Sequence, residues 1–528
     1  MTKTIVKKTI VKNTKKTNKS KKTSTVFNFN NLFNTNNKNI KKITKNNKKV
    51  HNKLSYYNKN YEVLNKIVNN FYNFDNTINT HLITYNDNKT QFLIKKGLTN
   101  FKLCKSYSYD ILNDYFSKIT LSYNIKEKLL DSLSISRAPV EIINIVNDFT
   151  RGVSTYININ YKNKPVKISN AFCKLWEILE VFDTIIPIIN INNSYQKQKF
   201  KVFHIAEAPG NMIECAKYFV KKKRGHIKLN NYEWKANSLN PNNLKNQEIY
   251  GKGKIFDDEY KLMKKNPDNW LWGEDDTGDI TNTMNIKWFK NYINTKWLIH
   301  KNDKLDLICG DGGLNTDNEP ILLQKLDLAQ VIMVVACSSI GGSCIIKHFT
   351  PYIKRHTNTY EASGFFIGFL YLYFITFENV NLFKPYTSNP DSGEFYVIGR
   401  GFKGIEEHQL TNLYEILDNF KLNDGIIKKE DIPESFVIQI NGFIEKISNL
   451  NTINIEKQNL LLNCYKENQD KNKNYYKKTK KNKIIKNNVS NTYDIKYKIY
   501  CNKLLNKNTV KELLIPRYKE WIKMYNFE

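Results

Sequence analysis

The sequence lacks paired cysteines and any long apolar run. Its eight cysteines include no CxxC pair, and no histidine accompanies them at the spacing of zinc ligands. We therefore expect reduced thiols in a cytosolic-type compartment and no metal site. The longest apolar run, residues 364–377, is too short to span a bilayer and predicts a buried strand or core helix instead. The polar, basic N-terminus indicates no signal peptide, so no membrane role is expected.

Acidic residues are absent from positions 1–61, and the first of them is Glu62. Lysine, asparagine and threonine dominate this segment, and its apolar residues follow no period, which predicts a disordered basic tail that coats phosphates. The 528-residue chain has a formal net charge of +32, which favours a polyanionic partner such as nucleic acid. An A+T-rich genome would also enrich lysine and asparagine, so charge alone does not decide the function.

Three regions follow this tail. Residues 62–165 show apolar patches of helical and strand-like spacing, which predict an accessory domain without recognisable chemistry. Residues 166–405 alternate short apolar runs with helical patterns, which predicts an α/β domain built on a doubly wound sheet. Residues 406–528 are mostly helical, with a basic linker at 468–490 around the lysine-rich stretch 471–488. The candidate strands of the central region are 201–206, 305–309, 343–347 and 394–399. Helical patterns beyond it lie at 408–420 and 509–524.

A possible cofactor turn lies in residues 201–214, which read KVFHIAEAPGNMIE. An apolar strand runs into Ala-Pro-Gly, and a helical pattern follows. Ligands of open α/β sheets sit at the carboxyl ends of strands. Gly210 allows close approach of a ligand, and helix N–H groups can receive a carboxylate. An ordinary strand–turn–helix is the plainer interpretation, and the absence of a GxGxxG pattern disfavours a dinucleotide.

Two further strands carry a charged side chain. The run LDLICGDGG at 305–313 ends in Asp311 among glycines, which places a carboxylate at the same edge of the sheet. The run GGSCIIKHF at 341–349 places Lys347 inside an apolar strand, where burial disfavours its charged form. Such a lysine can serve as a general base. A capped turn for Asp311 and a lysine that reaches solvent for Lys347 are the structural alternatives.

Two weaker motifs complete the set. A loop rich in Ser and Pro (384–393) delivers Glu394 to the start of a strand, and an amphipathic helix beginning near Ser169 carries Lys174. Taken alone, each residue is most simply a solvated surface charge.

Together these motifs resemble one family. The order Lys174, Asp311, Lys347, Glu394 is similar to the K-D-K-E tetrad of the FtsJ-like RNA 2′-O-methyltransferases. Other runs resemble the Adrift-type branch, the eukaryotic cap-specific mRNA enzymes that act on the second transcribed nucleotide. These runs are EAPG at 207–210, WKANSLNP at 234–241 and DDTGDI at 275–280. The resemblance covers residues 166–405, and homologous proteins occur in large cytoplasmic DNA viruses.

The resemblance implies a Rossmann-like, doubly wound methyltransferase sheet with mostly helical accessory regions on both sides. It implies S-adenosyl-L-methionine as the cofactor and RNA, in particular capped mRNA, as the substrate and partner. A protein partner, such as another capping enzyme, stays open. The expected location is the host cytoplasm, or the virion for a viral protein, with the nucleus as an alternative.

The resemblance also implies a role for individual residues around the cofactor. Tyr232 would pack against adenosine at the end of the second strand, and Asp279 would accept a hydrogen bond from the adenine amino group. Asp311 would lie between cofactor and substrate. The methionine part would be held by Glu207, Ala208, Pro209 and Gly210.

In the implied reaction, a ribose 2′-hydroxyl displaces the sulfonium methyl in line, and Lys347 is the candidate base. Lys174 would disfavour the ammonium form of Lys347, whereas Asp311 and Glu394 would orient both lysines and offset their charge. The sequence leaves the net shift of the Lys347 pKa open.

Two departures from the family pattern concern the cofactor. Asn211 stands where a second glycine is frequent, and Tyr232 stands where the Adrift-type branch has tryptophan. Two other functions stay open as alternatives: a 2′-O-methyltransferase of non-cap RNA, and a catalytically inactive methyltransferase fold that binds RNA as a subunit. The presence of all four tetrad residue types argues against the inactive subunit.

Overall fold

The computed structural model describes most of residues 148–482 and 507–527, together with short pieces between 101 and 144. Between 148 and 482 it leaves out 163, 165–166, 187–198, 225–231, 251–257, 301–302, 314–319 and 351–362. The expected disordered tail at 1–61 and most of the expected accessory domain therefore lie outside the described residues.

A seven-stranded sheet forms the centre of the fold, with strand order β3-β2-β1-β4-β5-β7-β6. The pairs from β3 to β5 are parallel, and β7 runs antiparallel to both β5 and β6. The strands are β1 (Phe200–Ile205), β2 (Tyr232–Asn237), β3 (Trp270–Leu271), β4 (Leu307–Gly310), β5 (Ser343–Phe349), β6 (Phe377–Phe383) and β7 (Glu394–Phe402). The four strands expected from the sequence are β1, β4, β5 and β7, which confirms the α/β doubly wound sheet.

Helices cover both faces of the sheet, so apolar side chains on both faces of its strands are buried. They are α1 (Phe149–Asn160), α2 (Asn170–Val181), α3 (Asn211–Lys223), α4 (Leu244–Tyr250), α5 (Leu262–Lys265), α6 (Thr283–Tyr292), α7 (Pro320–Cys337), α8 (Ser363–Thr376), α9 (Glu407–Asn419), α10 (Glu434–Asn482) and α11 (Lys507–Met524). The apolar run 364–377 lies in the buried helix α8 and at the start of β6, so the prediction of a core helix is correct. No helix of the described residues has the length and apolar character needed to cross a membrane.

Two apolar cores lie on opposite faces of the sheet. One contains α1, α2, α3 and α11 with the β1, β4 and β5 side chains of Val202, Leu307 and Ile345. The other contains α6 to α10 with their neighbours Phe203, Ile308 and Ile346. Helices α9, α10 and α11 therefore belong to the cores of the sheet domain, although they lie beyond residue 405.

The expectation of a linker or loop at 471–488 is wrong for its first part. Residues 471–482 continue α10, which is 49 residues long, and 483–488 lie outside the described residues. The stretch contains no proline or glycine, and lysine is a good helix former. A helix already nucleated by its packed N-terminal half extends at little further cost.

The packing of α11 yields a stability prediction. Leu514 of α11 is completely buried in the core shared with α1 and α2. Leu514→Ala should lower the free energy of unfolding by about 2–5 kcal/mol, because it leaves a cavity. Chemical denaturation measures the change. Lys519→Ala, at an exposed position of the same helix, is the control and should stay within about 0.5 kcal/mol. Equal stability of both variants would show that α11 does not pack as described.

Candidate active site

Lys174 and Glu394 meet although 220 positions separate them. Ser169 caps the N-terminus of α2 by accepting a hydrogen bond from the Phe172 N–H, and Lys174 lies one turn further along. Its Nζ lies 2.7 Å from Glu394 Oε1 and 2.8 Å from Oε2. Glu394 opens β7 and is only 7% exposed. Both residues are therefore held in a mostly buried ion pair and are not solvated surface charges.

Lys347 and Asp311 form the second pair. Lys347 Nζ lies 2.9 Å from Asp311 Oδ1 and donates to the Asp311 carbonyl at 2.8 Å. Asp311 follows the end of β4, and the neighbouring strand β5 carries Lys347. In the antiparallel register of β5 and β7, Lys347 faces Tyr396 and Phe349 faces Glu394. Glu394 lies two positions before Tyr396, the residue that pairs with Lys347. Because every second residue of a strand points to the same face, Lys347 and Glu394 lie on the same face of the sheet.

Neighbouring charges set the protonation of Glu394 and Lys347. Burial alone would raise the pKa of Glu394, but the ammonium groups of Lys174 and Lys347 hold that pKa at about 2. Burial alone would lower the pKa of Lys347, but the Asp311 and Glu394 carboxylates outweigh it and raise the pKa above its usual value. The question left open by the sequence thus has an answer: in this arrangement Lys347 is an ammonium ion.

Three polar neighbours of the tetrad were not identified from the sequence. Tyr396 donates to Asp311 Oδ1 at 3.1 Å, and Ser388 donates to Glu394 Oε1 at 2.9 Å. Lys384 donates to the carbonyls of Ser392 and Glu394 at 2.7 and 2.8 Å. Burial lowers the pKa of Lys384 to about 8. All three lie in the motif 384–402, but residue type alone does not distinguish them from its other polar positions.

The turn between β1 and α3 leaves no room for a side chain at Gly210. Gly210 caps α3 with φ 106°, and a Cβ there would come within 2.4 Å of Leu262 Cδ1. A side chain is thus excluded both by backbone conformation and by the cover that α5 provides. Asn211, which replaces a frequent glycine, accepts a hydrogen bond from the Tyr260 hydroxyl at 2.6 Å.

Glu207 occupies the N-terminus of α3. Its Oε1 accepts a hydrogen bond from the Met212 N–H at 2.6 Å, and its own N–H donates to the Asn237 carbonyl at the end of β2. One of the helix N–H groups that could receive a carboxylate, that of Met212, is therefore already bonded to Glu207.

The second carboxylate oxygen of Glu207, Oε2, shows whether the turn could bind a group of the cofactor. Oε2 is buried, and no donor reaches it from the described residues. Burial and the nearby Asp311 carboxylate raise the pKa of Glu207 well above its usual range. The ammonium of an amino-acid group would supply a donor and offset this cost. The turn thus fits the methionine part of S-adenosylmethionine.

The structure separates the two residues expected at the adenosine. Asp279 lies in the loop after β3, where its Oδ1 accepts from the Thr281 N–H and hydroxyl at 2.8 Å. This loop follows the carboxyl end of a parallel strand. Tyr232, in contrast, is the first residue of β2 and pairs with Phe200 at the start of β1. The expectation that Tyr232 lies at the end of the second strand is wrong, because the strand begins there and runs to Asn237.

Comparison with known proteins agrees with this geometry. Residues 168–402 match the model of the FtsJ-like methyltransferase family. A protein of Acanthamoeba polyphaga mimivirus, named only as uncharacterized, is 29% identical over 374 residues, which cover 69% of this chain and 40% of that protein. The cap-specific mRNA (nucleoside-2′-O-)-methyltransferase 2 of Pongo abelii is 28% identical over 280 residues, or 51% of this chain and 32% of that protein.

A probable methyltransferase of African swine fever virus (isolate Pig/Kenya/KEN-50/1950) is 26% identical over 295 residues, which cover 52% of this chain and 60% of that protein. The chain thus spans less than two thirds of the length of each of these relatives. The matched range includes all seven strands and all four tetrad residues. Residues 168–402 of this chain are therefore similar to the FtsJ-like methyltransferase domain.

Proposed function

We propose that the protein is an S-adenosylmethionine-dependent RNA 2′-O-methyltransferase that acts on a cap-proximal ribose of mRNA. The observation that carries the proposal is the meeting of the Lys174–Glu394 and Lys347–Asp311 pairs beside the turn at 207–210. Strand β4, which delivers Asp311, pairs directly with β1, which delivers that turn. The cap-specific relative supports the choice of capped mRNA over other RNA.

The cofactor would lie at the edge of the sheet where the parallel strands β1, β2, β3 and β4 end. Glu207, Ala208, Pro209 and Gly210 would enclose its methionine part, and Asp279 would accept from its adenine amino group. S-adenosylmethionine, when bound, supplies a methyl group already activated for transfer. The protein's remaining tasks are to orient the ribose and to remove the hydroxyl proton.

Lys347 is the residue that takes this proton in our proposal. Only its neutral amine can accept a proton, and the carboxylates of Asp311 and Glu394 make that form scarce near neutral pH. The Asp311 carboxylate, which also accepts from Tyr396, fixes the position of Lys347 Nζ. Lys174 holds Glu394 ionised, and Glu394 in turn keeps the charge of the cleft balanced.

The substrate assignment predicts which RNA is modified. Incubation with methyl-labelled cofactor and RNAs that differ only in the cap should place label on a ribose 2′-oxygen of capped RNA alone. Nuclease digestion followed by mass spectrometry locates the methyl group. Equal labelling of uncapped RNA would point to a non-cap methyltransferase, and no labelling of any RNA would favour a binding subunit without activity.

The role of Lys347 predicts a difference between binding and turnover. Lys347→Arg keeps the charge beside Asp311 but cannot lose its proton, so it should bind cofactor and RNA. Its single-turnover rate should fall by roughly 10²–10⁴-fold, the usual contribution of a general base. Lys347→Ala should be equally slow.

Lys217→Arg is the matched control, because this lysine of α3 pairs with Glu214 and with no member of the tetrad. Its rate should equal that of the unaltered protein. Substantial turnover by Lys347→Arg, beside a slow Lys347→Ala, would show that Lys347 only positions the hydroxyl or screens charge.

A further inference from the structure

A further buried carboxylate, that of Glu177, lies one turn beyond Lys174 on α2. Glu177 is completely buried, and five donors converge on it. Two of them are the backbone N–H groups of Tyr386 and Thr387. The others are side-chain donors: Thr387 Oγ1 at 3.1 Å, Trp521 Nε1 at 3.2 Å and the Tyr525 hydroxyl at 3.1 Å.

These donors come from two segments with different tasks. Tyr386 and Thr387 belong to the loop between β6 and β7, which delivers Glu394 to the tetrad. Trp521 belongs to α11 and Tyr525 follows it, more than 100 positions beyond the matched family domain. Glu177 thus joins the C-terminal segment to the loop that places Glu394.

The chemistry of the site selects a carboxylate. When ionised, its two oxygens only accept hydrogen bonds and offer about four lone pairs to these donors, whereas an amide has one acceptor oxygen and an apolar side chain has none. Burial raises the pKa of Glu177 to about 7 against the effect of these donors. A group so costly to bury is not needed to fill a core, where an apolar side chain would pack as well.

Hydrogen bonds within the segment 384–394 also hold this loop in place. Lys384 bonds the carbonyls of Ser392 and Glu394, and Ser388 bonds the Glu394 carboxylate. Glu177 supplies the contact between this closed loop and α2. Since α2 also carries Lys174, Glu177 links the helix of Lys174 to the loop that leads into Glu394.

We propose that Glu177 is a positioning residue, through which the C-terminal segment 521–527 holds the loop 384–393 and so aligns Glu394 with Lys174. It touches no reacting group. The C-terminal segment is then part of the machinery for methyl transfer and more than a cover for the core. The expected effect of Glu177 on the rate rests on the proposed methyl transfer, whereas its expected effect on the loop does not.

The test compares Glu177→Gln and Tyr525→Phe with Tyr518→Phe in the full-length protein. Tyr518 is a buried tyrosine of α11, and it packs against Phe149 and Tyr156 of α1. Three quantities are measured: the single-turnover rate on capped RNA at saturating cofactor, the cofactor dissociation constant, and the hydrogen exchange of the amides in 384–393.

For Glu177→Gln we expect the rate to fall by about 10- to 100-fold, since small displacements of catalytic groups have effects of this size. Tyr525→Phe should change the rate in the same direction by less. Cofactor affinity should stay within about twofold, because the turn at 207–210 is untouched, and exchange should rise at Tyr386 and Thr387. Tyr518→Phe should leave all three quantities unchanged.

Unchanged rate and exchange in Glu177→Gln would overturn the proposal. So would equal losses of rate and cofactor affinity, which indicate general destabilisation. If Glu177→Gln does not fold, Tyr525→Phe decides in the same way. If the unaltered protein transfers no methyl group, the proposed function fails, and the exchange of the loop alone decides whether Glu177 holds it.

Discussion

The mutual neutralisation of two lysines and two carboxylates is the constraint on which the site depends. Glu394 is nearly buried and would be costly as a lone charge, yet Lys174 binds both of its oxygens. Lys347 lies inside a strand and is held as an ammonium by Asp311 and Glu394. Removal of one member leaves a buried charge unpaired. The four residues should therefore behave as one unit in mutational studies, with effects that do not add.

The rest of the fold serves to bring these charges together. Parallel pairing of β1, β4 and β5 places the turn at 207–210, Asp311 and Lys347 at one edge of the sheet. The antiparallel strand β7 brings Glu394 to the same edge from the other direction. Helix α2 supplies Lys174, and α11 supports α2 through Glu177 and the Tyr525 carbonyl, to which Trp176 donates. Helices far apart in sequence thus meet at the helix that carries Lys174.

Local sequence was sufficient for β1, β4, β5 and β7, because strand periodicity is a local property, but β2, β3 and β6 were not predicted. The grouping of Lys174, Asp311, Lys347 and Glu394 came from the resemblance to a family and not from local patterns. Tyr232 was misplaced because its position at a strand end came from the resemblance and not from a local pattern. The segment 471–482 was misread because a lysine-rich run can be either a linker or a helix. Glu177 and Lys384 escaped notice for different reasons. The partners of Glu177 lie in segments far from it in sequence, so its neighbours do not mark it as a buried acceptor. Lys384 bonds within its own loop, but residue type alone does not distinguish it from the other polar residues there.

The pKa of Lys347 in the cofactor-free protein tests the central claim most directly. It can be followed by NMR of lysine labelled at the ε position, with Lys347→Arg to assign the signal. Our account predicts titration above the ordinary lysine value of roughly 10.4. It also predicts a clear fall of the pKa in Asp311→Asn, where burial is opposed by one carboxylate fewer. A pKa below the ordinary value in the unaltered protein, or no fall in Asp311→Asn, would contradict the account.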